Sequence, residues 1–368
     1  MRLSRNFLIK LTLVAAVLLA LYCLQIPNAS YYWNINNSRS HNVNDHENHS
    51  TALNSYTNYY NLSVKTLYEL ESTNVTYHNV WCIFTKVTSM SPMKKKFRIF
   101  TESLLKFASV DVALHVITDD SSQKIAKRII QNIVSVLKKP VQVQYYDVHK
   151  LALQLEDIVS VMSLKFSSKP GTYYSDALFF LSLGLHRIAS PQQKVAVMLD
   201  VDTKLREDIK ELFQEFEEFG GQALFGLAPE LTPVYRHVLY IFRSQHPDTM
   251  FGEPFSSGGY PGYNSGVVLF NLERLRNSLE YDQIVSRDMV EHMTEKYSFK
   301  GHLGDQDFYT LLGMERPELI HTLDCGWNRQ LCTWWRDRGY ADVFANYSQC
   351  NSEIKLWHGN CNAPIPDL

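Results

Sequence analysis

The sequence predicts an α/β protein with a mostly parallel central sheet and helices on both of its faces. Three observations lead there. From about Asn79 onward, apolar runs of strand length alternate with segments of helical spacing, the pattern of parallel strands joined by crossover helices. The runs lack polar alternation, as expected of strands covered on both faces. The strongest, Lys194-Val195-Ala196-Val197-Met198-Leu199, ends in Asp200-Val201-Asp202, and ligands of open α/β sheets bind beyond the carboxyl ends of such strands.

In chain order, Val80 to Phe84 is an apolar strand followed by a helical stretch from Lys94 to Ala108. Val112 to Ile117 is the second strand, closed by Thr118-Asp119-Asp120 and followed by a helix from Gln123 to Leu137. Val141 to Tyr146 is the third, and Tyr174 to Ile188 has helical spacing. Beyond the Asp pair, Gly221 to Ala228 and Val267 to Asn271 read as further strands. Tyr263-Asn264-Ser265-Gly266 reads as a small polar turn before the last of these, because Asn, Ser and Gly suit turn geometry. Gly301-His302-Leu303-Gly304-Asp305-Gln306-Asp307 opens a helix ending near Met314, with Asp305 either capping it or facing a ligand. Leu356-Trp357-His358-Gly359-Asn360 places an imidazole in an irregular tail.

Ahead of this domain, Arg2, Arg5 and Lys10 accompany an apolar stretch from Leu11 to Leu24. Counted from Phe7 to Ile26 it matches the roughly 20 residues that cross a bilayer, with Lys10 reaching back to the interface. The basic residues precede the span, which puts residues 1–6 in the cytoplasm, 7–26 in the membrane as a type II signal anchor, and the rest in the lumen. A cleaved signal peptide is the alternative, but no clean small-x-small site follows. Residues 27–78 are rich in Asn, Ser, Tyr and His without apolar periodicity, and read as a flexible stem. Sequons begin at Asn28, Asn36, Asn48, Asn61, Asn74 and Asn346, and such sites are used only in a lumenal or secreted protein. Residues 79–368 then form one lumenal domain on an endoplasmic reticulum or Golgi membrane.

Two carboxylates one residue apart are hard oxygen ligands that suit Mn²⁺ or Mg²⁺. A solvated loop start or a helix N-cap are the alternatives, and a bare D-x-D is a weak signal. Asp305-Gln306-Asp307 is a second such motif. Of six cysteines, Cys325, Cys332, Cys350 and Cys361 crowd the end of the sequence. In an oxidising lumen they are expected to pair, as Cys325 with Cys350 and Cys332 with Cys361, interleaved links that staple a long irregular tail to the core. No C-x-x-C spacing supports zinc. The formal net charge of −2 provides no basic footprint for nucleic acid.

Together, Asp200-Val201-Asp202, Asn264-Ser265-Gly266, Gly304-Asp305-Gln306-Asp307 and His358-Gly359, in that order, resemble the family-8 retaining glycosyltransferases of GT-A fold over essentially the whole globular part. Longer strings are more specific: PVYRH at Pro233 to His237, GHLGDQDF at Gly301 to Phe308 and WNRQLCTWWRDRGY at Trp327 to Tyr340 look like the xyloside α-1,3-xylosyltransferases of that family. The resemblance implies UDP-xylose as donor and, as acceptor, the xylose of a xylosyl-glucose disaccharide on EGF-like repeats, including those of Notch. It implies a metal held by Asp200, Asp202 and His358, and sugar contacts from Asn264, Asp305 and Gln306. Donor contacts are implied for Thr85, Lys86, Val87, Asp176, Val201 and Ser265, and acceptor contacts for Gln306, Trp334, Trp335 and Asn360. The sequence departs from the wider family in its tail, where Asn360-Cys361-Asn362-Ala363-Pro364 stands in place of a Lys that meets the diphosphate. A glucoside xylosyltransferase, a non-catalytic Golgi sugar-binding protein and a metal-dependent nucleotidyltransferase are the rival readings, and a homodimer is left open.

Overall fold

Strand β1 (His78–Phe84) shows how the apolar runs become a sheet with two covered faces. Successive side chains of a strand point to opposite sides. Val80, Cys82 and Phe84 accordingly enter one buried cluster, while Trp81 enters another with the partly buried Ile83 against it. The computed structural model describes residues 76–167 and 177–366. The expected anchor, the stem up to residue 75 with its sequons, and Asp176 lie outside the described residues.

Strands β2 (Val112–Thr118), β3 (Gln142–Asp147), β4 (Val195–Leu199), β6 (Phe225–Pro229), β7 (Tyr263–Asn271) and β8 (Ile320–Thr322) join β1 in a seven-stranded sheet of order β3-β2-β1-β4-β7-β6-β8. Strands β3, β2, β1 and β4 are parallel neighbours, β7 runs antiparallel between β4 and β6, and β8 is parallel to β6. All seven residues of β2 are buried, which explains its unbroken apolar run. Helices α1 (Met93–Phe107) and α2 (Asp120–Leu137) cover one face: Phe97, Phe100 and Leu104 of α1 pack with Ala126, Ile129 and Ile130 of α2. Asp119 caps α2, its side chain accepting from the backbone N–H groups of Ser121 and Ser122. The other face is covered by α3 (Glu156–Phe166) and α4 (Asp305–Glu315), whose Val161, Met162, Phe308 and Leu312 enter the second cluster.

A second, three-stranded sheet is built from β5 (Thr203–Leu205), β10 (Leu356–His358) and β9 (Arg329–Gln330), in the order β5-β10-β9. Strands this short carry no readable periodicity, so the segment around His358 reads as irregular in sequence although it is a strand. Two further readings are corrected. The stretch expected to be helical from Tyr174 becomes a 3₁₀ segment, Ala177–Gly184, then a short helix, Leu185–Ile188. Phe180 to Gly184 are all buried, so no polar face exists to set a 3.6-residue period. Residues 263–266 are not a turn but the start of β7. The register against β6 jumps there, Leu227 pairing with Val268 and Ala228 with Asn264. That bulge takes Ser265 and Gly266 out of the ladder with β6 beside the end of β4. Among the described residues, no helix is long and apolar enough to cross a membrane.

Candidate active site

The chain leaves β4 at Leu199, and the backbone N–H of Asp200 donates to the carbonyl of Gly266 at 2.9 Å. Strand β5 follows within three residues and pairs antiparallel with β10, setting Thr203 opposite His358. A further bond, from the N–H of Gly359 to the carbonyl of Asp202 at 2.8 Å, fixes that register. The small sheet thereby carries His358 to two carboxylates more than 150 residues earlier. His358 Nε2 lies 3.5 Å from Asp200 Oδ2 and 3.4 Å from Asp202 Oδ1, and one ligand atom from each residue fits within 4.8 Å of the others.

Two observations say that this triad suits a divalent cation. The first is the orientation of His358. Its Nδ1 is 2.9 Å from Asn328 Oδ1, and Asn328 directs its amide N–H₂ to Asn264 Oδ1 at 2.9 Å. The Asn328 oxygen is therefore an acceptor, His358 carries its proton on Nδ1, and Nε2 faces the carboxylates, the arrangement by which an outer partner aims a metal-binding imidazole. The second is space. A Cβ at residue 266 would overlap the His358 ring, so glycine is required there for the close approach. Burial disfavours a charged His358, but the carboxylates of Asp200 and Asp202 outweigh it and raise the group to about 10, which adds a proton at Nε2 that a bound cation would displace. Burial likewise opposes charge on Asp202, yet His358 and Lys96 hold it well below the usual carboxylate range.

Behind the triad runs a buried polar chain. Glu230, 3% exposed at the end of its strand region, accepts through Oε2 from Asn264 Nδ2 at 2.9 Å and Gln306 Nε2 at 3.2 Å, and through Oε1 from the Thr232 hydroxyl at 2.6 Å. Gln306 Nε2 also lies 3.3 Å from the Tyr235 hydroxyl, which donates to Asp307 Oδ1 at 3.0 Å. Burial raises Glu230 above its ordinary pKa, against the donors Thr232 and Asn264. Removing this hub orphans two buried amide donors, at about 1–3 kcal/mol each. We expect Glu230→Leu to lower thermal stability measurably and kcat about tenfold or more, with Glu230→Gln milder because the Thr232 hydroxyl can turn to accept. A Glu230→Leu variant with unchanged melting temperature and kcat would contradict the hub.

The two acidic motifs differ in use. Asp305 is the first residue of α4, and Gly304 before it, at φ 75°, occupies the cap position with no side-chain bond. Asp305 is thus not the cap: it accepts from Ser182 Oγ at 2.5 Å and Ser265 Oγ at 2.9 Å, and burial pushes it up to about 7. Asp307 is fully buried and pins the preceding loop, accepting from the N–H of His302 at 2.6 Å and of Leu303 at 2.7 Å. Helical rotation separates the two carboxylates, so this second motif does not build a metal pair.

The other expected positions are distributed around this centre. The N–H of Lys86 donates to Asp119 Oδ2 at 2.6 Å and that of Val87 to Ser122 Oγ at 2.9 Å, which fastens the loop after β1, with Thr85, to the cap of α2. Burial opposes charge on Asp119, but its hydroxyl and N–H donors keep it well below the usual range. A cavity of about 550 Å³ opens alongside, lined by Thr118, Asp119, Tyr145, Asp147 and Lys150 at the carboxyl ends of β2 and β3. Val87 and Val201 have core-buried side chains, so only their backbones remain for a ligand. Asn264 is buried and bonded to Asn328 and Glu230, which makes it a positioning residue. Trp334 is 47% exposed, edge-on to the partly buried Trp335 at 4.9 Å, with the Arg338 guanidinium 4.9 Å from its ring. Asn360 Oδ1 accepts from the N–H of Leu331 at 3.0 Å and of Cys332 at 2.9 Å, clamping the loop that bears the two tryptophans. Disulfides join Cys325 to Cys350 and Cys332 to Cys361, in the expected pairing.

Sequence reading missed Glu230, Asn328, Tyr235 and Lys96. Glu230 shares part of the signal of Asp200, a carboxylate ending a buried run, but without a second carboxylate beside it. Tyr235 and Asn328 lie inside the specific strings quoted above without an assigned role.

No family model matches the chain. It is 43% identical over 298 residues to xyloside xylosyltransferase 1 of Mus musculus, covering 80% of this chain and 76% of that protein. The Homo sapiens protein of the same name is also 43% identical over 298 residues, covering 80% of this chain and 75% of its own. The apo crystal structure of the mouse protein matches with a TM-score of 0.75, covering 79% of this chain and 100% of that chain.

Proposed function

The chain belongs to the xyloside xylosyltransferase family, and from that premise we propose that it moves xylose from UDP-xylose, with retention, in α-1,3 linkage onto the xylose of an O-linked xylosyl-glucose disaccharide on EGF-like repeats. The observation that carries this reading is the triad Asp200, Asp202 and His358 next to the buried frame that holds Asp305 and Gln306.

Asp200, Asp202 and His358 would hold Mn²⁺, or Mg²⁺ as the alternative, though the single imidazole favours Mn²⁺. When bound, such an ion neutralises charge on the leaving diphosphate. The chain's own residues do the rest. The Lys86 loop and the cavity beside Asp119 receive the uridine. Gln306, its amide nitrogen turned to Glu230 and Tyr235, presents a fixed carbonyl, while Asp305, held by two serine hydroxyls, favours positive charge on the anomeric carbon. An amide is a poor nucleophile, so attack comes from the acceptor. Its 3-hydroxyl oxygen bonds to C1 of xylose on the face from which UDP leaves, the C1–O bond to the diphosphate breaks, and the departing phosphate oxygen takes the proton. Trp334 and Trp335 offer aromatic faces for the acceptor sugar. Two disulfides support an oxidising, lumenal setting behind a type II anchor.

The test is transfer by the full-length chain from UDP-xylose with Mn²⁺ to synthetic β-glucoside and xylosyl-glucoside acceptors, read by mass. Extension of the xylosyl-glucoside alone is expected. Extension of the bare glucoside alone would assign the enzyme to an earlier step, and no transfer to either would refute the proposed acceptor class.

A further inference from the structure

We propose that Lys96 contacts the diphosphate of the nucleotide-sugar donor, an inference that rests on the donor reading above. Lys96 lies in the first turn of α1, in a Lys94-Lys95-Lys96 run that reads as a solvated helix face. Its ammonium is not solvated like that. Nζ lies 3.2 Å from Asp202 Oδ2 and donates to Asn362 Oδ1 at 3.0 Å, and its side chain is 18% exposed. The ammonium thus stands between a metal-triad carboxylate and the segment that follows His358.

Charge decides what that position is for. Two carboxylates and a divalent cation cancel, which leaves the negative charge of a bound diphosphate to be met by something else. Residues 359–366 contain no Lys or Arg, so the segment beside His358 supplies no cation of its own. A divalent ion taken up by Asp202 also withdraws most of the carboxylate charge from Lys96, and a partly desolvated ammonium is costly without an anionic partner. A phosphate bound to the same ion restores one, through a charge-assisted bond from Nζ. Charge on the diphosphate grows as the sugar leaves, so the contact strengthens along the reaction rather than only in the ground state.

Calorimetric titration of the full-length chain with Mn²⁺ alone, and with UMP and UDP in the presence of Mn²⁺, tests this on wild type, Lys96→Ala and Lys96→Arg. Lys96→Ala is expected to lose about tenfold or more in UDP affinity, the scale of a charged hydrogen bond, and so to reduce the UDP preference over UMP. Its Mn²⁺ affinity should hold or tighten, because a competing cation is gone, and Lys96→Arg should keep most of the UDP preference. An unchanged UDP to UMP ratio in Lys96→Ala would overturn the inference. So would a parallel loss of Mn²⁺, UMP and UDP affinity, which would mean that Lys96 only orients Asp202. A wild type that does not prefer UDP over UMP would instead remove the donor reading and this inference with it.

Discussion

Asp200→Asn is expected to lower xylosyl transfer by roughly 10²–10³-fold, the scale of losing one preorganised electrostatic contact to a leaving group, with the fold intact. The side chain of Asp200 is 59% exposed, and its structural bonds are made by its backbone, to Gly266 and Thr203. An isosteric amide therefore disturbs no packing. It removes one of the two anionic ligands, and neutral amide oxygen binds a hard cation far more weakly. Chelation of the wild type should abolish transfer and Mn²⁺ should restore it, whereas the variant should need much more Mn²⁺. The measurement is initial rate against free Mn²⁺, with circular dichroism as the control for folding. Full turnover in excess chelator would refute a metal-dependent site.

Asp305→Ala should lower kcat by a similar factor, roughly 10²-fold or more, with a smaller change in KM, because its charge acts mainly when positive charge develops on the sugar. Both oxygens of Asp305 are held, by Ser182 and Ser265, which suits an electrostatic role better than one as nucleophile. Azide should not rescue the variant with inverted product, since rescue of that kind marks a missing nucleophile. A xylosyl adduct mapped to Asp305 would overturn the same-face mechanism. The carboxyl of the free protein is pushed up from 3.8 to about 7 by burial, so its ionised fraction, and with it kcat/KM, which follows free-enzyme ionisations, should rise as pH passes upward through about 7. That limb should vanish in Asp305→Asn. The stability effect has the opposite sense: the native state holds the proton more tightly than the unfolded chain, so the contribution is full below about 4 and is lost as pH rises through about 7.

The frame of the sheet was legible because β1, β2 and β4 bury both faces, and a strand with two buried faces has no choice but to be apolar throughout. The Asp pair was legible for a related reason, as a polar break at the end of such a run. What escaped was structure that exists only through long-range pairing. His358 lies in a strand of three residues whose partners are more than 100 and about 30 residues away in sequence, and nothing local marks it. The bulge that places Ser265 and Gly266 resembles a turn in composition because both need small, polar, permissive residues. Lys96 was hidden by its neighbours: in a run of three lysines, only the spatial partner, Asp202, tells it from the other two. Asp307 repeats the sequence context of Asp305 yet has a different task, because one helical step of two residues turns a side chain by about 200°.

The two disulfides have a consequence for when the enzyme becomes competent. Cys325 and Cys332 bracket Asn328, while Cys350 and Cys361 bracket His358, so the covalent links grip both ends of the two segments whose side chains meet at 2.9 Å. None of the four cysteines lies in the seven-stranded sheet, so reduction would loosen the clamp that aims the imidazole without touching that sheet's strands. Formation of the two disulfides would then set when the triad is able to hold its ion.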